Sequence, residues 1–180
     1  MRRNNKGYTL VELIIVIAIL TIIAGIATIG LSSVLGTKVT QCTENIKNVI
    51  NKVRISTMGR EEVTLRFYQD SDDKYYAEVK TKKKKLGSST SEETTTEVVG
   101  KSGIDVKFTT DSTVTDPTDS SVETLSYANG NAINISFDRS SGQFKLDGSG
   151  KCVRRIWVIK NSRIRTIVLY QETGKVDIET

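Results

Sequence analysis

Lys6-Gly7-Tyr8-Thr9-Leu10-Val11-Glu12-Leu13-Ile14-Ile15-Val16-Ile17 opens a segment unlike the rest of the chain: from Leu13 to Thr37 no residue is charged, 25 in a row. As an α-helix rising about 1.5 Å per residue, that run covers roughly 37 Å, enough to cross a hydrocarbon core of about 30 Å. The flank before it, Met1 to Gly7, carries Arg2, Arg3 and Lys6 and no acid. Positive charge on the short side of a span holds that side in the cytoplasm, so the residues beyond the run are expected outside. A secretory signal of the conventional kind has an apolar region of only about 7–15 residues ending at a small-x-small site, whereas this run is longer and passes into a helical pattern. Glu12 is the anomaly. An acid carried to the bilayer centre costs on the order of 2.5–3.5 kcal/mol, and no basic residue follows before Lys38. Taken alone, Glu12 reads either as a charge at headgroup level or as one that finds a partner.

Around that segment the composition is unremarkable, and it removes several functions. The chain has 180 residues, 26 Lys+Arg against 21 Asp+Glu for a formal +5, two cysteines and no histidine. Structural zinc sites, a His-based triad and a histidine base are thereby excluded. No paired carboxylates or phosphate-binding glycine loop suggests catalysis, so neither an enzyme nor a cofactor or metal is expected. Asp70, Asp72 and Asp73 lack the glycine and distal glutamate of an EF-hand and read as a turn. With 37% hydrophobic and 26% charged residues and the single proline Pro117, the remainder is globular in kind.

Past Thr37 the apolar residues Val39, Cys42, Ile46, Val49 and Val53 recur at steps of three and four, one face of an amphipathic helix that ends near Met58-Gly59. After it the period changes to two. Val63 to Phe67, Tyr75 to Val79, Ile104 to Phe108, Ile133 to Phe137, Val153 to Ile159 and Ile164 to Tyr170 read as strands. Ser140-Ser141-Gly142 turns the fourth back into Phe144 and Leu146, and Val176 with Ile178 closes the chain. The expected fold is α+β: a long N-terminal helix packed against antiparallel β-sheets in a head. Residues 80–103, with Lys82-Lys83-Lys84-Lys85 followed by Ser, Thr and Glu, and 109–121 around Pro117 read as exposed loops. The four lysines read as a solvated loop balanced by Glu92, Glu93 and Glu97, or as a holder of an anionic polymer.

The run Lys6 to Leu13 resembles the class III signal of type IV pilins and pseudopilins, and the apolar stretch after it resembles their N-terminal helix. The resemblance implies that a prepilin peptidase cuts after Gly7 and methylates the new amine on Tyr8, where the family usually has Phe or Met. It also implies a partner for Glu12: as fifth residue of the mature chain it pairs with the α-amino group of an adjoining subunit, an amine that exists only after cleavage. Family members often carry a proline midway along the helix; here Ile29 takes that place, and Gly25, Gly30 and Gly36 are the residues that loosen a helix. The implied organisation is a leader over 1–7, a transmembrane and assembly half over 8–37, an amphipathic half over 38–58 and a β-rich head over 59–180. Such a protein is a single-pass membrane protein with an extracytoplasmic head, later part of an extracellular pilus or pseudopilus.

Three stretches narrow the resemblance to GspH/FimT-type minor pilins: Arg54 to Arg66, Ile135 to Gly142 and Arg165 to Ile178. Such subunits are implied to sit at or near the filament tip and to help start assembly, with other pilin subunits and the peptidase as partners. A pseudopilin of a type II secretion or competence system shares every N-terminal feature. A DNA- or surface-ligand-binding tip subunit is a further alternative, because some members bind DNA through basic C-terminal residues. Here Lys151, Arg154, Arg155, Lys160, Arg163 and Arg165 lie between Gly148 and Gln171 with no acid among them. The members' glycine-arginine motif is not matched, since Gly174-Lys175 leads to Asp177. Cys42 and Cys152, destined for the outside, read either as a disulfide joining helix to sheet or as two buried thiols. Removing Arg2, Arg3 and Lys6 with the leader takes 26 basic residues to 23 against 21 acids, a formal +2, so net charge alone argues for no polyanion.

Overall fold

The computed structural model describes residues 10–58, 62–84 and 90–179, with side chains described except at 23–36, 83–84 and 90. The chain divides into two compact units, one up to Gly36 and one from Thr37 onward. Helix α1 is Leu10–Met58. In the first unit its described side chains, Leu10 to Ile22, are all exposed. Among the described residues no helix is long and apolar enough to cross a membrane. The side chains of 23–36, which complete the uncharged run, lie outside them.

In the second unit α1 is striped. Val39, Cys42, Ile46, Val49, Ile50 and Val53 are buried and join one hydrophobic cluster with the inward faces of two sheets. Two threonines share the buried face, and each hydroxyl is satisfied within the helix: Thr43 donates to the Val39 carbonyl at 2.8 Å and Thr57 to the Val53 carbonyl at 2.9 Å. The strands are β1 (Glu62–Gln69), β2 (Tyr75–Lys84), β3 (Thr90–Gly100), β4 (Asp105–Thr109), β5 (Glu123–Thr124), β6 (Ala132–Ser136), β7 (Arg155–Lys160), β8 (Arg163–Tyr170) and β9 (Lys175–Glu179). They form a four-stranded sheet in the order β3-β2-β1-β6 and a five-stranded sheet in the order β5-β4-β7-β8-β9. Neighbours pair antiparallel throughout both sheets. Alternation sends Val63, Leu65 and Phe67 of β1 inward and Thr64 and Arg66 outward.

The expectation of a loop over 80–103 is corrected. β2 continues to Lys84, and β3 occupies Thr90–Gly100 as an edge strand. Up to Val98, β3 carries no large apolar residue, so it is ordered by its ladder with β2 and by β-branched threonines rather than by burial. The charges that made the stretch look solvated lie opposite one another: Lys82 pairs in register with Glu92 on one side and Glu62 on the other. Lys85 lies outside the described residues. The strand expected at Phe144 and Leu146 is also shortened, to a single bridge between Phe137 and Phe144, and Leu146 is exposed.

Residues 110–122 hold only turns and bends, and they cross the outward face of the five-stranded sheet. The Arg155 guanidinium donates to the carbonyls of Ser112 and Val114 at 3.1 and 2.9 Å, and the Lys107 ammonium to that of Pro117 at 3.1 Å. Trp157, which pairs with Lys107 on that face, is buried. At the far end of α1, Arg54 donates from Nε to the Gly142 carbonyl at 3.0 Å and from its terminal nitrogen to the Thr173 carbonyl at 2.7 Å. One guanidinium so ties the helix to the turn after β6 and the turn before β9. Those turns touch: a Cβ on Gly174 would stand 1.8 Å from the Gly142 carbonyl oxygen, and both glycines have positive φ, 63° and 69°.

Candidate functional site

Glu12 occupies the first turn of α1, where the exposed N–H groups and the positive end of the helix dipole favour an acid. The residues one turn on, Ile15 and Val16, are apolar and exposed. Gly7 and Tyr8 lie outside the described residues.

The six basic residues after Gly150 are not brought together as one patch. Lys160 and Arg163 face each other at the β7–β8 hairpin, and Arg165 follows on the same side of β8. Arg154 and Arg155 lie at the opposite end of those strands with structural partners: Arg154 bonds Gln171, and Arg155 holds the 110–122 segment. Lys151 belongs to the 147–151 turn, where its N–H donates to Asp147 Oδ1 at 2.9 Å. Three cations at a hairpin thus remain of the six.

The bridge reading of the cysteines is corrected, because Cys42 and Cys152 are both free. Cys42 packs over Gly100 at the end of β3, its sulfur 2.8 Å from where a glycine Cβ would be. Cys152 lines a different cavity, of about 480 Å³, together with residues of β6. β3 and β6 are the two opposite margins of the four-stranded sheet, which keeps the thiols apart. Burial pushes the Cys42 thiol up to about 12 and leaves it an inert core group.

Asp70, Asp72 and Asp73 make the β1–β2 turn. Donation from the Lys74 ammonium, then from the Tyr76 hydroxyl, holds Asp72 down at about 2. Among the described residues no group of three or more His, Cys, Asp or Glu side chains is placed to hold a metal.

Two features escaped sequence reasoning. Arg54 lies off the apolar face of the helical pattern, and nothing local marks the two turns it joins. Tyr68, Tyr76 and Tyr127 cluster on the outward face of the four-stranded sheet; the first two sit at outward positions of alternating strands, a signal that period two does give.

The architecture defines a class of protein: an N-terminal helix with an apolar, fully exposed beginning and a striped end that packs into a two-sheet head. Residues 2–28 match the family model described as the prokaryotic N-terminal methylation motif, and the N-terminus is thus of the type IV pilin and pseudopilin kind. That motif is a structural one and not an enzyme's. No curated protein and no solved structure matches the chain.

Proposed function

We propose that the protein is a minor pilin of the GspH/FimT type, built into a type IV pilus at or near its tip and helping to start assembly. The observation that carries this reading is the methylation motif over residues 2–28, within which a helix begins whose described start exposes, apart from Glu12 and Thr21, only apolar residues. Prepilin peptidase cuts after Gly7 and methylates Tyr8. Before assembly the apolar half of α1 lies in the membrane with the head outside; afterwards the same surface packs against other subunits. Glu12 then accepts the α-amino group of an adjoining subunit, and the pair offsets the cost of placing either charge in an apolar filament core. The narrower GspH/FimT assignment rests on the resemblance of 54–66, 135–142 and 165–178. A pseudopilin of a type II secretion or competence system is the alternative reading, which the same motif supports equally.

Mass spectrometry of the chain from cells with active prepilin peptidase is expected to show an N-methylated tyrosine start; an intact Met1 terminus refutes the proposal. Glu12→Ala is expected to stay in the membrane fraction while its content in sheared filaments falls on the order of a hundredfold. Undiminished incorporation removes the role given to Glu12.

A further inference from the structure

The outward face of the four-stranded sheet carries an aromatic and polar cluster that the core does not use. Tyr68 and Tyr76 face each other across β1 and β2, ring centroids 5.8 Å apart and planes inclined by 21°. The Arg66 guanidinium lies 5.3 Å from the centre of the Tyr68 ring. Tyr127, on the loop between β5 and β6, is 61% exposed. That exposure belongs to a fastened loop. The Tyr127 N–H donates to Gln69 Oε1 at 3.0 Å, Gly130 N–H closes back on the Tyr127 carbonyl at 3.1 Å, and Asn131 Nδ2 donates to the Thr124 carbonyl at 3.3 Å. Leu125 is buried at the root of the loop. A large ring on a backbone fastened in this way, with most of its surface in water, is the form of a contact awaiting a ligand.

Tyr68 and Tyr127 line one open cavity of about 440 Å³ with Arg66, Asp70, Glu78 and Asn131, within the range of roughly 300–1,000 Å³ usual for small-ligand clefts. The mixture is specific. A pyranose ring has a face of C–H groups that lies flat on an aromatic ring, and a rim of hydroxyls that both donate and accept. Amide, carboxylate and guanidinium groups meet that rim in their own planes, so rings and planar polar groups together suit a sugar. The charge decides between sugars. Glu78 is held by Arg66 at 3.7 Å and by Lys80 at 2.9 Å, and Asp70 adds a second carboxylate, so two cations stand against two acids and no net charge draws a uronate or phosphate to this face.

We infer that this face is a carbohydrate site that binds neutral hexopyranose units of a polysaccharide, with Tyr127 as the stacking platform. Tyr68 forms the second wall, and Asn131 and Asp70 take the hydroxyls. The site lies wholly in the head, so its failure leaves the assembly reading untouched. The test is a titration of the full chain, held in a sugar-free zwitterionic detergent, with cellohexaose and chitohexaose, followed by saturation-transfer NMR on the sugar. Hexagalacturonate and a DNA oligonucleotide serve as anionic probes. Saturable binding of a neutral oligosaccharide is expected, with transfer strongest at ring C–H groups. Tyr127→Ala is expected to weaken it about tenfold, Tyr127→Phe to retain it, and Tyr170→Ala, an exposed tyrosine of the other sheet, to change nothing. Absence of neutral-sugar binding, binding confined to the anionic probes, or unchanged affinity in Tyr127→Ala each overturns the inference.

Discussion

Between Leu10 and Ile22 every side chain of α1 is exposed, ten of them large and apolar, whereas between Val39 and Thr57 eight are buried at steps of one, three and four. Covering the first set is worth roughly 1.5–3 kcal/mol per side chain, more in total than the 5–15 kcal/mol that holds a typical domain folded. On the proposed function, lipid and then other subunits cover the first half of the helix. The second half is completed by the two sheets of the same chain. On that reading one element spends its hydrophobicity on two different partners, and the division falls where charges resume at Lys38.

The sharpest way to break that contrast is to make one substitution in each half. Ile50→Ala removes a fully buried side chain and is expected to cost the head about 3 kcal/mol, whereas Ile17→Ala is expected to cost it less than about 0.5 kcal/mol. Denaturant unfolding of the full chain, followed by the fluorescence of the single, buried Trp157, reads the head alone; equal losses would erase the distinction. Next in size is Arg54→Ala, expected to cost about 2 kcal/mol because two carbonyls lose a charged donor, with Arg54→Lys restoring less than half. A loss within error would mean that the striped half holds the head by apolar contact only.

The smallest effect is a dependence on alkaline pH. Cys42 holds its proton to about 12 when folded and to its ordinary 9.0 when unfolded. Its contribution is complete below pH 9 and declines as pH rises toward the folded value, at a limiting slope of about 1.4 kcal/mol per pH unit. Between pH 9 and 10, below the ordinary value of Tyr75, the less buried Cys152, also raised by burial, adds its own share, and Cys42→Val is expected to reduce the decline in unfolding free energy. An unchanged slope would place its origin elsewhere.

The striped half of α1 and most strands were legible because burial on one face writes a period into the sequence, as at Val39 to Val53 and Val63 to Phe67. β3 was not, because nothing apolar marks its faces before Val98; its order comes from the register with β2, and Thr and Glu in a row resemble a loop until a partner strand is known. β5, two residues long, offers no pattern at all. Of the candidate sites, the methylation motif is contiguous and therefore readable. The Tyr68–Tyr127 cavity unites positions far apart in the chain, and the six basic residues, close in sequence, are divided between the two ends of a hairpin.

The meeting of Gly142, Gly174 and Arg54 has a consequence for variation. The Gly142 carbonyl oxygen is at once the acceptor for Arg54 and the wall that a Cβ at position 174 would strike. No side chain can be introduced at 174 without moving that oxygen, and moving it unseats the arginine. In a library of random variants, functional chains should either keep all three residues or replace them as a set, a linkage between positions far apart in the chain that no single-site scan would reveal.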